Sequence, residues 1–493
     1  VSEQVPGGVD LPTDEEGRRS SSAFGREVVA AALRGVDPTG AQAAERETNW
    51  RSGYLEHVRR LTEAGVARPE DARTIAADGL AAVHDRMVVR HPDGDRPITA
   101  LRSAVPAREI ADAVVTGTGE VEQELAVPYR GALLTGDRLR RQLDDWATRG
   151  VVEPTVIDAV ERVLERPDWL RLDGRTVVVM GAGAELAPLR SLLRWGATVA
   201  ALDLPRRSVW DELLRVASAS AGTLHVPVDA GADRDGMPDL AAHAGLDLIG
   251  AVPAAADWIA GLDGVPVLGT YAYADGVQHV QVTVAIDALN ERIRGTRPDA
   301  ALAYLATPTD AFVVPAEAVA ASVAAYEARS RAAKLVSRPL RTLSGGRLLK
   351  RNYAPEVDPG ICDALVPQQG PNYALAKRLQ RWRATTARAE GALVSLNVAP
   401  STRTRSVVKN RVLAAAYAGA HRFGIEIFEP ATTNVLMAAL LVHDLHTGGG
   451  PDQEHPWQQE AHTAVHGGLW RAPYAPRSAL GLATVLGVGA SRG

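Results

Sequence analysis

The run Arg175-Thr176-Val177-Val178-Val179-Met180-Gly181 constrains the fold more than any other part of the chain. Its apolar residues are mostly β-branched, show no polar alternation and stop at a glycine, which marks a short strand buried on both faces of a parallel sheet. A helix-like stretch over 186–195 follows, then Gly196 and a second buried run, Thr198 to Leu202, closed by Asp203. Strand, glycine turn, helix and strand form a βαβ unit. Further buried runs at 224–228, 246–252 and 300–306 alternate with helical stretches. The expected fold class is therefore α/β, with a doubly wound parallel sheet.

Upstream of Arg175 the pattern differs. Tyr54, Val58 and Leu61, and again Leu139, Leu143 and Trp146, recur at three- and four-residue spacing, and Pro69-Glu70-Asp71 resembles a first helical turn. At 493 residues the chain exceeds the roughly 250–300 that one core supports. The expected division is a mobile tail over 1–24, an all-helical N-terminal region over 25–170, and the sheet domain over 171–493. Within the last, an insertion is expected at about 314–371 and a histidine-rich extension at about 443–493. The helical region would cover a cleft or make a subunit contact.

Composition excludes several classes. With 46% apolar and 23% charged residues the chain matches an ordinary globular protein. No uncharged apolar run is long enough to cross a bilayer, and residues 1–24 do not resemble a secretion leader, so no membrane partner is expected. Cys362 is the only cysteine, which rules out an internal disulfide and suggests a reducing, cytoplasmic setting. A net charge of −5 and a pI near 6.2 give no reason to expect nucleic-acid binding.

In Gly181-Ala182-Gly183-Ala184-Glu185-Leu186-Ala187 the glycines let the backbone turn sharply, and a helix N-terminus would offer free amides to a pyrophosphate. Asp203 lies 22 residues after Gly181, where a carboxylate can accept both hydroxyls of an adenosine ribose. That favours NAD, since a 2′-phosphate would meet a like charge, while Arg206 and Arg207 leave NADP open. Asp229, closing the third strand, is either a wall beside the adenine or an ordinary solvated or capping carboxylate.

Tyr373 and Lys377 stand four apart among good helix formers, so they share one helix face. An ammonium beside a phenol stabilises the phenolate and makes it a usable acid and base near neutrality. Sixteen residues after Lys377 begins Leu393-Val394-Ser395-Leu396-Asn397-Val398-Ala399-Pro400, a buried strand entering a proline turn. In this order of features, over about 175–404, the chain resembles the short-chain dehydrogenase/reductase family, whose domain is a Rossmann-like sheet; residues 435–444 resemble that family's last helix. The resemblance implies a bacterial-type NAD(P)-dependent oxidoreductase acting on a small molecule, with Tyr373 as acid and base, Lys377 as its partner and ribose ligand, and Gly181, Gly183, Asp203 and Asp229 at the cofactor. A homo-oligomer is the expected state. The family's catalytic serine falls at the end of the fifth strand, where this chain has Thr307 and Thr309, and Thr307 is the expected counterpart. Other family positions also differ: Glu185 and Ala187 replace glycines, Gly250-Ala251-Val252-Pro253 stands where an Asn-Asn-Ala-Gly is usual, and Ser401 follows Pro400.

Two further constellations stand apart. The insertion carries Arg329, Arg331, Lys334, Arg338, Arg341, Arg347, Lys350 and Arg351 without an intervening acid, which suits an anionic substrate, a solvated helix face or a subunit contact. His443, His446, His455, His462 and His466 crowd near the C-terminus, but without a cysteine cluster or a third ligand they suggest structural or pocket-lining histidines, and no metal is expected. A glycine turn and two acidic strand ends also suit an S-adenosylmethionine-dependent methyltransferase. A scaffold that has lost its cofactor is the non-catalytic alternative.

Overall fold

The computed structural model describes residues 7–230 and 239–488. Helices Ser21–Arg34 (α1), Trp50–Ala64 (α2) and Pro69–Arg86 (α3) come first, followed by an edge strand, Ile110–Thr116 (β1). The βαβ unit is Arg175–Met180 (β2), Leu189–Arg194 (α4) and Thr198–Leu202 (β3), continued by Thr223–Asp229 (β4) and Val265–Thr270 (β5). Then come Val277–Thr296 (α5), Ala301–Ala306 (β6), Arg331–Leu343 (α6), Gly370–Ala389 (α7) and Val394–Val398 (β7). The chain closes with Arg405–Lys409 (α8), Arg411–Ala420 (α9), Pro430–Thr447 (α10) and Pro476–Gly487 (α11).

The seven-stranded sheet runs β7-β6-β5-β2-β3-β4-β1, parallel except where β1 pairs antiparallel with β4. Six strands in this order are a doubly wound, Rossmann-like sheet, as the alternation of runs predicts. Side-chain alternation divides each strand between two cores. Val178, Met180, Ala200 and Leu202 face the layer containing α1, α3, α5 and α7, while Val177, Val179, Val199 and Ala201 face the layer of α4 and α10. Both faces are dry, which is why these strands have no polar alternation.

Four expectations need correction. Beyond the first six residues, which lie outside the described part, the supposed mobile tail is built into the fold: Val9–Asp10 pairs with Val88–Val89, and Val9, Leu11 and Phe24 are buried. Polar neighbours hid it, because a two-residue strand has no period to detect. Residues 25–170 include helices but also supply β1, and α1 and α3 share a core with the sheet layer. The predicted strand at 246–252 is a turn leading into helix Val252–Ala260, and the fourth parallel strand is Val265–Thr270. Finally, the glycine turn is longer than expected, since α4 starts only at Leu189. The insertion is closed at its base by Ala311–Val314 pairing with Gly360–Asp363.

Buried ion pairs bind the N-terminal helices to the sheet layer. Arg383 of α7 donates to both oxygens of Asp287 at 2.6 and 2.7 Å and to Glu291 at 2.7 Å, while His84 of α3 meets Asp287 at 2.7 Å. Burial opposes the charged imidazole, but the two carboxylates outweigh it and hold His84 above its ordinary pKa. Arg383→Ala would strand two carboxylates, so it should cost about 3–5 kcal/mol in denaturant unfolding; a loss below about 1 kcal/mol, typical of surface pairs, would contradict this account.

Candidate active site

A cleft of about 1520 Å³ opens at the carboxyl ends of β2, β3, β5 and β6. It lies where the strand order reverses between β2 and β5, so their following segments leave in opposite directions and a crevice is unavoidable. Gly181 marks the parting. Its φ is +90°, and a Cβ there would lie 2.4 Å from the backbone of Ala272, the second residue after β5. No side chain fits that contact.

Asp203 is bound into the turn. One carboxylate oxygen accepts from the Gly183 amide and the other from the Leu204 amide, both at 2.8 Å. Burial pushes its carboxyl upward and the two amides pull it back. Each oxygen retains acceptor capacity for a ribose hydroxyl. Among the described residues, the amides of Glu185 and Leu186 have no acceptor, which leaves them available to an anion. The Glu185 carboxylate is already engaged: it accepts from the Arg405 amide at 2.7 Å and meets the Arg405 guanidinium at 3.3 Å. Asn434 of α10 clamps the same turn by donating to the carbonyls of Glu185 and Ala187 at 3.2 and 2.5 Å. Cleft volume, free amides and an accepting carboxylate together fit a dinucleotide.

Gly181, Gly183, Asp203, Thr307, Tyr373 and Lys377 all line this cleft. Asp229 does not: it is exposed and 3.5 Å from Arg108, and the segment from Gly245, whose amide donates to the Pro227 carbonyl, stands at the end of β4 instead. Leu246, Asp247 and Leu248 form the wall there, with the Leu246 amide donating to the Asp203 carbonyl at 2.8 Å. Arg206 lines the cleft, whereas Arg207 pairs with Asp211 and Asp239. Arg329, Arg331, Lys334, Arg338, Arg341 and Arg347 lie outside the lining, so the insertion does not present its charges to a ligand here. From the N-terminal part, Gly8, Asp10 and Arg90 reach the rim.

The far end holds the reactive groups. Tyr373 and Thr307 line this end together, and the Thr307 hydroxyl is hydrogen-bonded to that of Thr309 at 2.8 Å. Burial pushes the phenol well above its ordinary range, and the Thr307 hydroxyl only partly offsets this. The expected lowering of Tyr373 by Lys377 is therefore absent: the ammonium donates to the Leu305 carbonyl at 3.3 Å and to Gln380 at 3.0 Å. Burial brings Lys377 itself down to about 8.

His279, in the first turn of α5, is a residue that the sequence reading missed. Its ring centre is 5.4 Å from that of Tyr373, its Nδ1 meets the backbone of Ala274, and its buried Nε2 has no partner among the described residues. Burial and the Lys377 charge bring it down to about 3, so the imidazole is neutral. No motif surrounds it. The C-terminal histidines are structural: His466 meets Glu153 at 2.9 Å and stacks on Trp470, and His462 lies beyond the end of helix Pro456–Ala461, so the four-residue spacing is not helical.

No protein-family model matches the sequence, and no curated protein matches it. Among solved structures, one similar chain comes from Beutenbergia cavernae, assigned as an NAD(P)-dependent gluconate 5-dehydrogenase and solved with NADP at low occupancy. It is 16% identical, covers 61% of this chain and 98% of its own, and superposes with a TM-score of 0.29.

The chain's lysines are Lys334, Lys350, Lys377 and Lys409. After reductive methylation with a carbon-13 label, the Lys377 signal, assigned by its loss in Lys377→Arg, should titrate near 8; a Lys377 signal at the ordinary lysine value of about 10.4 would contradict the buried site.

Proposed function

We propose that the protein is a nicotinamide-dependent oxidoreductase that interconverts a carbonyl and an alcohol. The observation that carries this reading is the convergence of Tyr373, Thr307 and Lys377 at one end of a cleft whose other end is the turn of Gly181, Gly183 and Asp203. When bound, a nicotinamide supplies or accepts the hydride. In reduction, Tyr373 gives its proton to the carbonyl oxygen as the carbon receives hydride. The phenol carries its proton at neutral pH, the form that reduction requires. Thr307, lining the cleft beside Tyr373, orients the oxygen with its hydroxyl. Lys377, charged below about 8, stands beside them to hold a ribose hydroxyl and stabilise negative charge.

Asp203 supports NAD over NADP, because both its oxygens face the turn and a 2′-phosphate would be repelled. Arg206 on the same rim is the feature that would admit NADP. A buried lone thiol, Cys362, is compatible with a reducing cytoplasm. The methyltransferase and scaffold readings leave the Tyr373, Thr307 and Lys377 group without a task.

Two measurements test the proposal. Thermal-shift titration should show NADH raising the melting temperature more than NADPH does, with S-adenosylmethionine giving no shift. Tyr373→Phe should lower turnover by about 10²–10⁴-fold while NADH binding is retained; an unchanged rate, or stabilisation by S-adenosylmethionine alone, would contradict it.

A further inference from the structure

Beside the cleft, side chains from three helices come together. Leu340 of α6, Ala479 and Leu482 of α11, and Phe423 after α9 share a small apolar cluster. α9 and α11 touch backbone to backbone: a Cβ on Gly419 would lie 2.0 Å from the Ala483 carbonyl, and one on Gly487 1.9 Å from that of Ala415. Packing through their smallest residues turns larger ones outward. Val412, Val485 and Leu486 are 45%, 70% and 56% exposed, and on α6 Leu335 and Leu343 are 76% and 87% exposed.

Isolated surface aliphatics mean little, but these lie within a distinctive charge pattern. Residues 328–355, 391–425 and 461–488 contain no Asp or Glu, although the whole chain is net −5. Arg331, Arg338, Arg347, Lys409, Arg411 and Arg422 are exposed and form no ion pair among the described residues. On α6, Arg331, Lys334, Arg338 and Arg341 follow one side of the helix, with Leu335, Pro339 and Leu343 beside them. A cationic strip adjoining an aliphatic strip is the pattern of a helix lying in a lipid interface.

We infer that the face formed by α6, α9 and α11 docks on an anionic lipid bilayer. Arg405, Lys409, Leu413 and Tyr417 of α8 and α9 also line the cleft, so its mouth opens beside that surface. The substrate class follows as an apolar carbonyl dissolved in the bilayer, a step that rests on the oxidoreductase reading. No helix among the described residues is long and apolar enough to cross a membrane, so the contact is peripheral. A second copy of the chain is a poor occupant, because it would set cations against cations. Docking patches for proteins concentrate aromatic anchors, whereas the large exposed side chains here are Val and Leu.

Flotation of the full chain with vesicles tests the inference independently of catalysis. Wild type should float with equimolar phosphatidylcholine and phosphatidylglycerol but not with phosphatidylcholine alone, and added salt should weaken binding. Arg331→Gln with Arg338→Gln should weaken it about thirtyfold, as expected for two surface charges, and Leu335→Ser with Leu343→Ser should weaken it with the charge intact. Melting temperature and NADH-induced stabilisation should be unaltered in all variants, whereas failure of NADH to stabilise the wild type would speak against the oxidoreductase reading alone. Absence of flotation with the anionic vesicles, undiminished flotation of the variants, or tighter binding to soluble polyglutamate than to the vesicles would overturn the docking inference, the last in favour of an acidic protein partner.

Discussion

The contact between Gly181 and Ala272 is the constraint on which the rest of the site depends. Two parallel neighbours, β2 and β5, end at the same level, and their continuing segments diverge with only 2.4 Å of room for a Cβ between them. That divergence opens the crevice, sets the turn carrying Gly183 against Asp203, and leaves the ends of β5 and β6 facing it. The chemistry is then assembled from elements far apart in sequence. Thr307 ends one strand, Tyr373 and Lys377 come from a helix beyond a long insertion, and Arg405 returns from another loop to hold Glu185.

Much of this was legible because it rests on short-range patterns. Short apolar runs without polar alternation, β-branched in β2, marked β2, β3 and β6 almost to the residue, and the i, i+4 spacing of Tyr373 and Lys377 placed both on one helix face. The errors have common physical causes. Residues 246–252 are apolar because they pack beneath the Asp203 corner, and an apolar run of that length does not distinguish a buried turn from a buried strand. Val265–Thr270 was overlooked because Pro266 and Gly269 interrupt it. Asp229 ends its strand as expected, but the cleft wall there is Leu246 to Leu248, and the antiparallel partner of its strand, β1, comes from a region read as helical. His279 carries no sequence signal, since its place beside Tyr373 depends on how α5 enters the sheet layer.

The polar groups divide into two economies. Inside, charges are buried only with partners: Arg378 and Arg381 share Asp310, Arg381 also takes Glu460, and Arg383 joins Asp287 and Glu291. These networks fasten α7, the helix of Tyr373 and Lys377, to the N-terminal helices and to the C-terminal part, so the reactive pair stands on a rigid support. Outside, Arg331 and Arg338 of α6, Lys409 of α8 and Arg411 of α9 form no ion pair among the described residues and lie among exposed aliphatic side chains. The sequence displayed the α6 cations as a one-sided run, but only the fold shows that they lie outside the cleft lining, with Leu340 of the same helix in one apolar cluster with α11.

The central claim is that one crevice holds a dinucleotide with its reactive end against Tyr373. A crystal structure of the protein soaked with NADH addresses it most directly. The account predicts the adenosine ribose on Asp203, the diphosphate on the amides of Glu185 and Leu186, and the nicotinamide beside the Tyr373 hydroxyl. A ligand bound with its nicotinamide remote from Tyr373, or a crevice that stays empty at saturating NADH, would contradict it.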